Sequence, residues 1–367
     1  MMKYGVFLPT VNNGYILSKA SPQYMPSYEL NKQISVDAEA AGYEFVLTMS
    51  KFRGYGSEGS GFWDYAQDPL AVVGPLIGAT STVKIWGSVG APSVHPAMAA
   101  RIAATYDDAS GGRFGINIVA GWNRSEYAQM GLWPGEDYPS KRYGYVDEYV
   151  HILRTLWETG RMTYESEHFR LDDCLVQPTP RHGVTVIIPG QSPRSIEAAA
   201  NRADVNFVLG DFDQVAKARA DLVSVASRAG RDVGTAALYG IITAPTDAEA
   251  VEMVQSFAAD TDVEAADGLR AAAAGDPTGM SAKIQTQERR QVLDVDFDHP
   301  TRAAVVTGSC LFHPHLVGSY DRIAAFLHDL DQVAGVDRSV LSFPDYTTDV
   351  SAFMQNVAPR VSHLAAV

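Results

Sequence analysis

Cysteine is scarce in this chain: Cys174 and Cys310 are the only two in 367 residues. That pair fits neither a CxxC metal or redox motif nor a disulfide framework, and a chain of this length has core enough to need no covalent staples. No apolar run approaches the roughly 20 residues of a membrane-spanning helix. A strand-like opening at Lys3–Pro9 leaves no room for a signal peptide, so a soluble, cytoplasmic protein is expected. Positive charge is short as well: 29 Lys and Arg stand against 43 Asp and Glu, for a net charge of −14 and a pI near 5.0. Clustered cations are what bind phosphate backbones and anionic lipid, so neither nucleic acid nor a membrane is an expected partner. GxSxG and solenoid repeats are also missing, which argues against a hydrolase elbow and a repeat array. No Pro/Gly/Ser-rich tract divides the chain, and residues 1–367 read as a single domain.

What is present is a globular composition, 46 % hydrophobic and 20 % charged, in which strand-like and helix-period stretches alternate. The strand candidates are Lys3–Pro9, Phe45–Met49, Val83–Gly90, Phe114–Gly121, Thr185–Gly190, Val205–Gly210, Ala237–Ala244 and Val340–Phe343. Helical periodicity covers Tyr28–Ala41, Pro69–Ala79, Pro96–Asp107, Tyr143–Glu158, Ser192–Ala203, Phe212–Gly230, a stretch from Asp247 and Tyr320–Val333. Met162–Val176 reads as a hairpin flap, and Thr261–Arg302, rich in Ala, Asp and Gln, as part of an insertion around 261–315. Eight strands with about eight helices predict an α/β fold of the (β/α)8 TIM-barrel type with insertions.

The organising stretch is Ser110–Asn123, SGGRFGINIVAGWN. A Gly-Gly turn leads into a strand in which Phe114, Ile116, Ile118 and Ala120 share a face, and the polar Asn117, Trp122 and Asn123 lie in or just beyond it. Strand C-terminal ends are where such folds build their sites. Gly190–Ser192 follows a buried strand and opens a helix, an arrangement that aims backbone N–H groups at a phosphate, and Arg142 and Tyr143 are placed to reach the same anion. His313 and His315 share a strand face, but Pro314 lies between them and no third ligand is near, so no metal is expected. They are expected to line a loop or a polar pocket wall, and His95, before Pro96, to cap a helix or face the pocket. Among the aromatics, Trp63, Trp86 and Trp133 read mainly as core, whereas Trp122 reads as part of the site.

Asn12–Lys32, Ser110–Tyr145 with its GW-x(3)-EY-x(2)-MG-x-WPG run, PGQS and LVGSY together resemble the flavin-dependent pyrimidine monooxygenases of bacterial uracil degradation, within the bacterial-luciferase-like class. The resemblance runs from Met2 to about Val361 and thins over Thr261–Arg302. It implies a TIM barrel, a homo-oligomer, a small-molecule substrate, and FMN used as FMNH2 that a separate NAD(P)H-dependent flavin reductase supplies. It implies further that O2 reacts with the flavin to give an N5-peroxide, which oxygenates or opens a small N-heterocycle or amide. By position it assigns Ser50, Lys51, Asn117, Glu126, Arg142, Tyr143 and Ser192 to FMN, and Leu47, Ser88, Asn117 and Trp122 to the oxygen pocket. Ser88 replaces an expected Thr, and His95, His313 and His315 stand where small or apolar residues are expected. These histidines point to a substrate with an additional polar group. Oxidation of a sulfone or another heteroatom compound, a non-catalytic flavin-binding protein, and use of coenzyme F420 stay open as alternatives.

Overall fold

The computed structural model describes residues 2–55, 61–274 and 293–365. Eight parallel strands close into a ring: β1 (Lys3–Phe7), β2 (Phe45–Leu47), β3 (Lys84–Gly90), β4 (Phe114–Val119), β7 (Thr185–Pro189), β8 (Val205–Val208), β9 (Gly234–Ala244) and β12 (Arg338–Ser342), the last pairing back to β1. These are the eight strands expected from the sequence, each followed by helical chain that covers the outside of the ring. The strands are apolar on both faces because one face meets those helices and the other fills the lumen. The expected flap is the hairpin β5 (Arg161–Glu165) and β6 (Arg170–Leu175). Its neighbour, the helix Tyr138–Thr159, starts five residues before the periodicity becomes clean.

Register assigns the two faces, because directly paired residues of a parallel ladder point the same way. Trp86 pairs with Gly115 and Leu47, Ser88 with Asn117, Asn117 with Ile187, Phe7 with Leu47, and Ser342 with Gly240. In the lower lumen Phe45 stacks on Trp86 at 3.8 Å between centroids, over a bare Gly115 whose Cβ would meet the indole at 2.5 Å. Above this plug the lumen wall carries Phe7, Leu47, Ser88, Asn117, Ile187, Gly240 and Ser342. Phe114, Ile116 and Ile118 therefore face outward, into the helix layer, and Asn117 faces in.

One expectation is corrected. The LFHPH segment is not a loop: it lies in β11 (Leu311–Ser319), which pairs antiparallel with β10 (Ala304–Gly308) and parallel with the upper half of β9, from His315 opposite Gly240 to Ser319 opposite Ala244. Of the expected insertion, Val263–Ala273 is helical and residues 275–292 lie outside the described residues. No helix among the described residues is long and apolar enough to cross a membrane.

Candidate active site

The C-terminal ends of the barrel strands bring four groups of polar side chains to one face. The first is on the lumen wall itself. Ser88 Oγ lies 2.5 Å from the Thr48 carbonyl oxygen, which can only accept, so the hydroxyl must donate there. Its lone pairs then accept from Asn117 Nδ2 at 2.9 Å, and this fixes the orientation of the amide. Asn117 Oδ1 is left buried and without a partner among the described residues, facing into the lumen. Leu47, paired with Phe7 and Trp86, is an apolar part of the same lumen wall. Thr48 escaped the sequence reading, although its Oγ1 receives the Ser88 N–H at 3.0 Å; a hydroxyl inside an apolar strand end is the signal that would have found it.

The second group joins the loops after β2 and β4. Asn123 caps the short helix Arg124–Ala128, accepting from Ser125 N, and the turn of helix that follows turns Glu126 inward. Lys51 Nζ lies 2.5 Å from Glu126 Oε1, with side-chain exposures of only 3 % and 7 %. Asn123 Nδ2 donates to the same oxygen at 3.0 Å, and the Phe52 N–H donates to Oε2 at 3.1 Å. The ammonium also sits 3.8 Å from the Tyr55 ring centroid, with Trp63 at 5.4 Å and Trp122 at 5.9 Å. Burial pushes the Lys51 ammonium below its ordinary pKa, while the Glu126 carboxylate pulls the other way. Ser50 Oγ, one residue earlier, is buried and has no partner among the described residues. Tyr55, the face on which the ammonium rests, is a residue that sequence reasoning missed.

The third group gathers around Gly190. Gly190 follows β7 at φ 137, and a Cβ there would meet the Ser195 side chain at 2.5 Å and the Tyr143 hydroxyl at 2.6 Å. Only glycine lets both side chains approach the backbone this closely at that φ. Ser192 caps the helix Pro193–Arg202 and accepts from Ser195 N. Tyr143 donates to the Pro189 carbonyl at 3.4 Å, and the Arg142 guanidinium, in a buried side chain, lies 5.7 Å from the Tyr143 ring. A helix N-terminus, the Ser192 hydroxyl and the Tyr143 phenol thus meet around Gly190, with the Arg142 guanidinium beside the Tyr143 ring, a set that could hold a phosphate.

The fourth group is His313 and His315 on β11, with Ser342 Oγ 3.0 Å from His313 Nε2. Tyr15, stacked on Phe7 at 4.6 Å, lies 5.6 Å from the His313 ring. His95 stands apart from this pair. Its Nδ1 accepts from Ala97 N at 3.2 Å as the cap of the helix Pro96–Ser110, and its exposed ring meets Phe169 of the flap edge-on. Among the described residues no group of three or more His, Cys, Asp or Glu could hold a metal ion.

The sequence profile of luciferase-like monooxygenases matches residues 2–338. The pyrimidine monooxygenase RutA of Acinetobacter baylyi is 40 % identical over 366 residues, covering 98 % of this chain and 95 % of its own. That of Escherichia coli is 37 % identical over 375 residues, covering 100 % and 94 %. Among solved structures, a riboflavin lyase with modified FMN and riboflavin superposes with a TM-score of 0.78 at 17 % identity, covering 100 % of this chain and 92 % of its own. A long-chain alkane monooxygenase superposes with a TM-score of 0.77 at 17 % identity, covering 99 % and 92 %. These two share the fold. With its sequence matched to the family over nearly its whole length and its polar groups gathered at the mouth of the barrel, the chain belongs to the luciferase-like monooxygenases.

Proposed function

We propose that this chain is a flavin-dependent monooxygenase that takes reduced FMN from a separate NAD(P)H-dependent reductase and inserts one oxygen atom of O2 into a pyrimidine-like cyclic amide. The observation that carries this reading is the match to pyrimidine monooxygenases at 37–40 % identity across the full chain. The residues at the barrel mouth fit the cofactor. Ser50 Oγ and Asn117 Oδ1, without partners among the described residues, are free to bond a polar ring, and the absence of a Cβ at Gly190 lets the Ser195 and Tyr143 hydroxyls gather at the helix N-terminus, where they fit a phosphate.

In this reading Ser192, Tyr143 and Arg142 hold the phosphate, aided by the helix N-terminus behind Ser192. Ser50, Lys51 and Glu126 border the ring system. The Lys51–Glu126 ion pair sets a fixed dipole beside it, in surroundings dry enough to magnify its field. When bound, reduced flavin supplies the two electrons that activate O2; one oxygen atom enters the substrate and the other leaves as water. The protein's part is orientation and exclusion of water. Leu47 and Trp122 border an apolar space, and the Ser88–Asn117 pair, pinned to the Thr48 carbonyl, gives that space a polar edge. We assign the protein to the cytoplasm, where its two free cysteines stay reduced, and to a homo-oligomer. Titration with FMN and FMNH2, followed by turnover of uracil, thymine, other cyclic amides and sulfones, tests the reading. Flavin binding that Arg142→Ala and Ser192→Ala weaken, with oxygenation of a pyrimidine, supports it; no flavin binding by the purified protein overturns it.

A further inference from the structure

The His313–His315 pair is built like a recognition element. In β11 both side chains point to the lumen side, because His315 pairs with Gly240, which itself pairs with the lumen residue Ser342. The rings stack at 4.7 Å and 12°, almost wholly buried at 2 % and 1 % exposure. Gly240 makes the room: a Cβ at that position would lie 2.0 Å from the His315 ring.

The hydrogen bonds settle where the protons are. His313 Nδ1 faces the Pro314 carbonyl oxygen at 3.1 Å, and His315 Nδ1 faces the His313 carbonyl oxygen at 2.8 Å. Carbonyl oxygens only accept, so each Nδ1 carries a hydrogen. Burial lowers both imidazole pKa values, that of His315 to about 4, so the rings are neutral near pH 7 and each Nε2 is a bare lone pair. The Ser342 hydroxyl donates to that of His313. His315 Nε2 has no hydrogen-bond partner among the described residues, so its lone pair is free to accept.

Resting on the proposed function, we propose that His315 Nε2 accepts a hydrogen bond from a ring N–H of the substrate and thereby selects cyclic amides and imides that carry that proton. His313 and Ser342 are positioning residues: the stack holds the His315 ring in its plane, and the Ser342 hydroxyl occupies the neighbouring acceptor so that only one remains.

Uracil, 1-methyluracil and 3-methyluracil, turned over with reductase-supplied FMNH2, test this. The wild type should lose about tenfold or more in kcat/KM for the analogue methylated at the contacted nitrogen, since a site built around a hydrogen bond rejects ligands lacking it. His315→Leu should raise KM for uracil by about 10- to 100-fold, change kcat by less than about threefold, leave FMN affinity unchanged and abolish the discrimination. His315→Gln restores an acceptor and should recover part of the discrimination, and it decides the matter if the Leu variant fails to fold. Gly240→Ala, which displaces the ring, should behave like His315→Leu. Wild-type discrimination persisting in folded His315→Leu overturns the inference alone, as does a loss of FMN affinity in that variant with KM for uracil unmoved. A wild type that binds FMNH2 but neither binds nor oxygenates uracil overturns the proposed function and this inference with it.

Discussion

Replacing Glu126 by Gln should damage this protein far more than the loss of one surface ion pair. Three donors converge on the carboxylate: Lys51 Nζ at 2.5 Å, Asn123 Nδ2 at 3.0 Å and the Phe52 N–H at 3.1 Å. A carboxylate can accept all of them, but an amide must turn its NH2 toward at least one. The gross attraction of unit charges at the 2.5 Å separation of this pair is about 7 kcal/mol at an effective dielectric near 20. Desolvation of the two ions offsets much of that, so the intact pair is worth little net; removing one partner leaves the other stranded, at about 3–5 kcal/mol. Glu126→Gln and Lys51→Met should each lower unfolding stability by about that amount, and the double variant by less than the sum, with a coupling of about 2 kcal/mol. Urea unfolding followed by tryptophan fluorescence, checked for reversibility, measures all four corners of the cycle. A pH series adds an independent sign. Lys51 is held below its ordinary pKa by burial, so the unfolded chain binds the proton more tightly and stability rises with pH up to the unfolded value near 10.5. Without the carboxylate that depression deepens, so the Glu126→Gln deficit should shrink as pH rises from 7 toward 10. A coupling below about 0.5 kcal/mol, or a deficit that grows with pH, refutes the reasoning.

Other consequences are as direct. Arg142→Ala should weaken FMN binding by about tenfold or more and Ser192→Ala by a few-fold, read by flavin fluorescence titration, with each variant retaining its circular dichroism spectrum. Gly115→Ala should cost about 1–3 kcal/mol by forcing a methyl group against Trp86, where a Cβ would lie 2.5 Å from the indole, and a lowered thermal midpoint would report it. His315 is neutral when folded and titrates at about 4, against about 6.5 when unfolded. Stability should therefore fall as pH drops from 6.5 toward 4, by about 3 kcal/mol from this residue, and more gently in His315→Leu; His313, depressed by burial and by its neighbour, adds to the wild-type slope.

The barrel was legible because βαβ alternation is a whole-chain signal and needs no single residue. Which face of β4 meets the lumen was not. Phe114, Ile116 and Ile118 form the more apolar set, yet both faces of a barrel strand are buried, and only register with Ser88 and Ile187 turns Asn117 inward. β11 was hidden by Pro314, which argues against a strand in most settings. Here the proline precedes the ladder with β9, which begins at His315, and lies beside the register shift between Val306 and Gly308 of β10, where its missing N–H costs no ladder bond. Resemblance had marked Lys51 and Glu126 separately. Their pairing, across 75 residues of sequence, follows from how two loops meet and has no local pattern. Thr48, Tyr55 and Ser342 were missed for the same reason: each acts through a neighbour that the fold brings to it.

The most direct test of the account is mass spectrometry of the product formed from uracil in isotopically labelled O2 with FMNH2 generated by a flavin reductase. One labelled oxygen atom in the product, absent when FMNH2 is omitted and sharply reduced in Arg142→Ala, is the predicted result. Tight FMNH2 binding with no labelled product from any pyrimidine would contradict it.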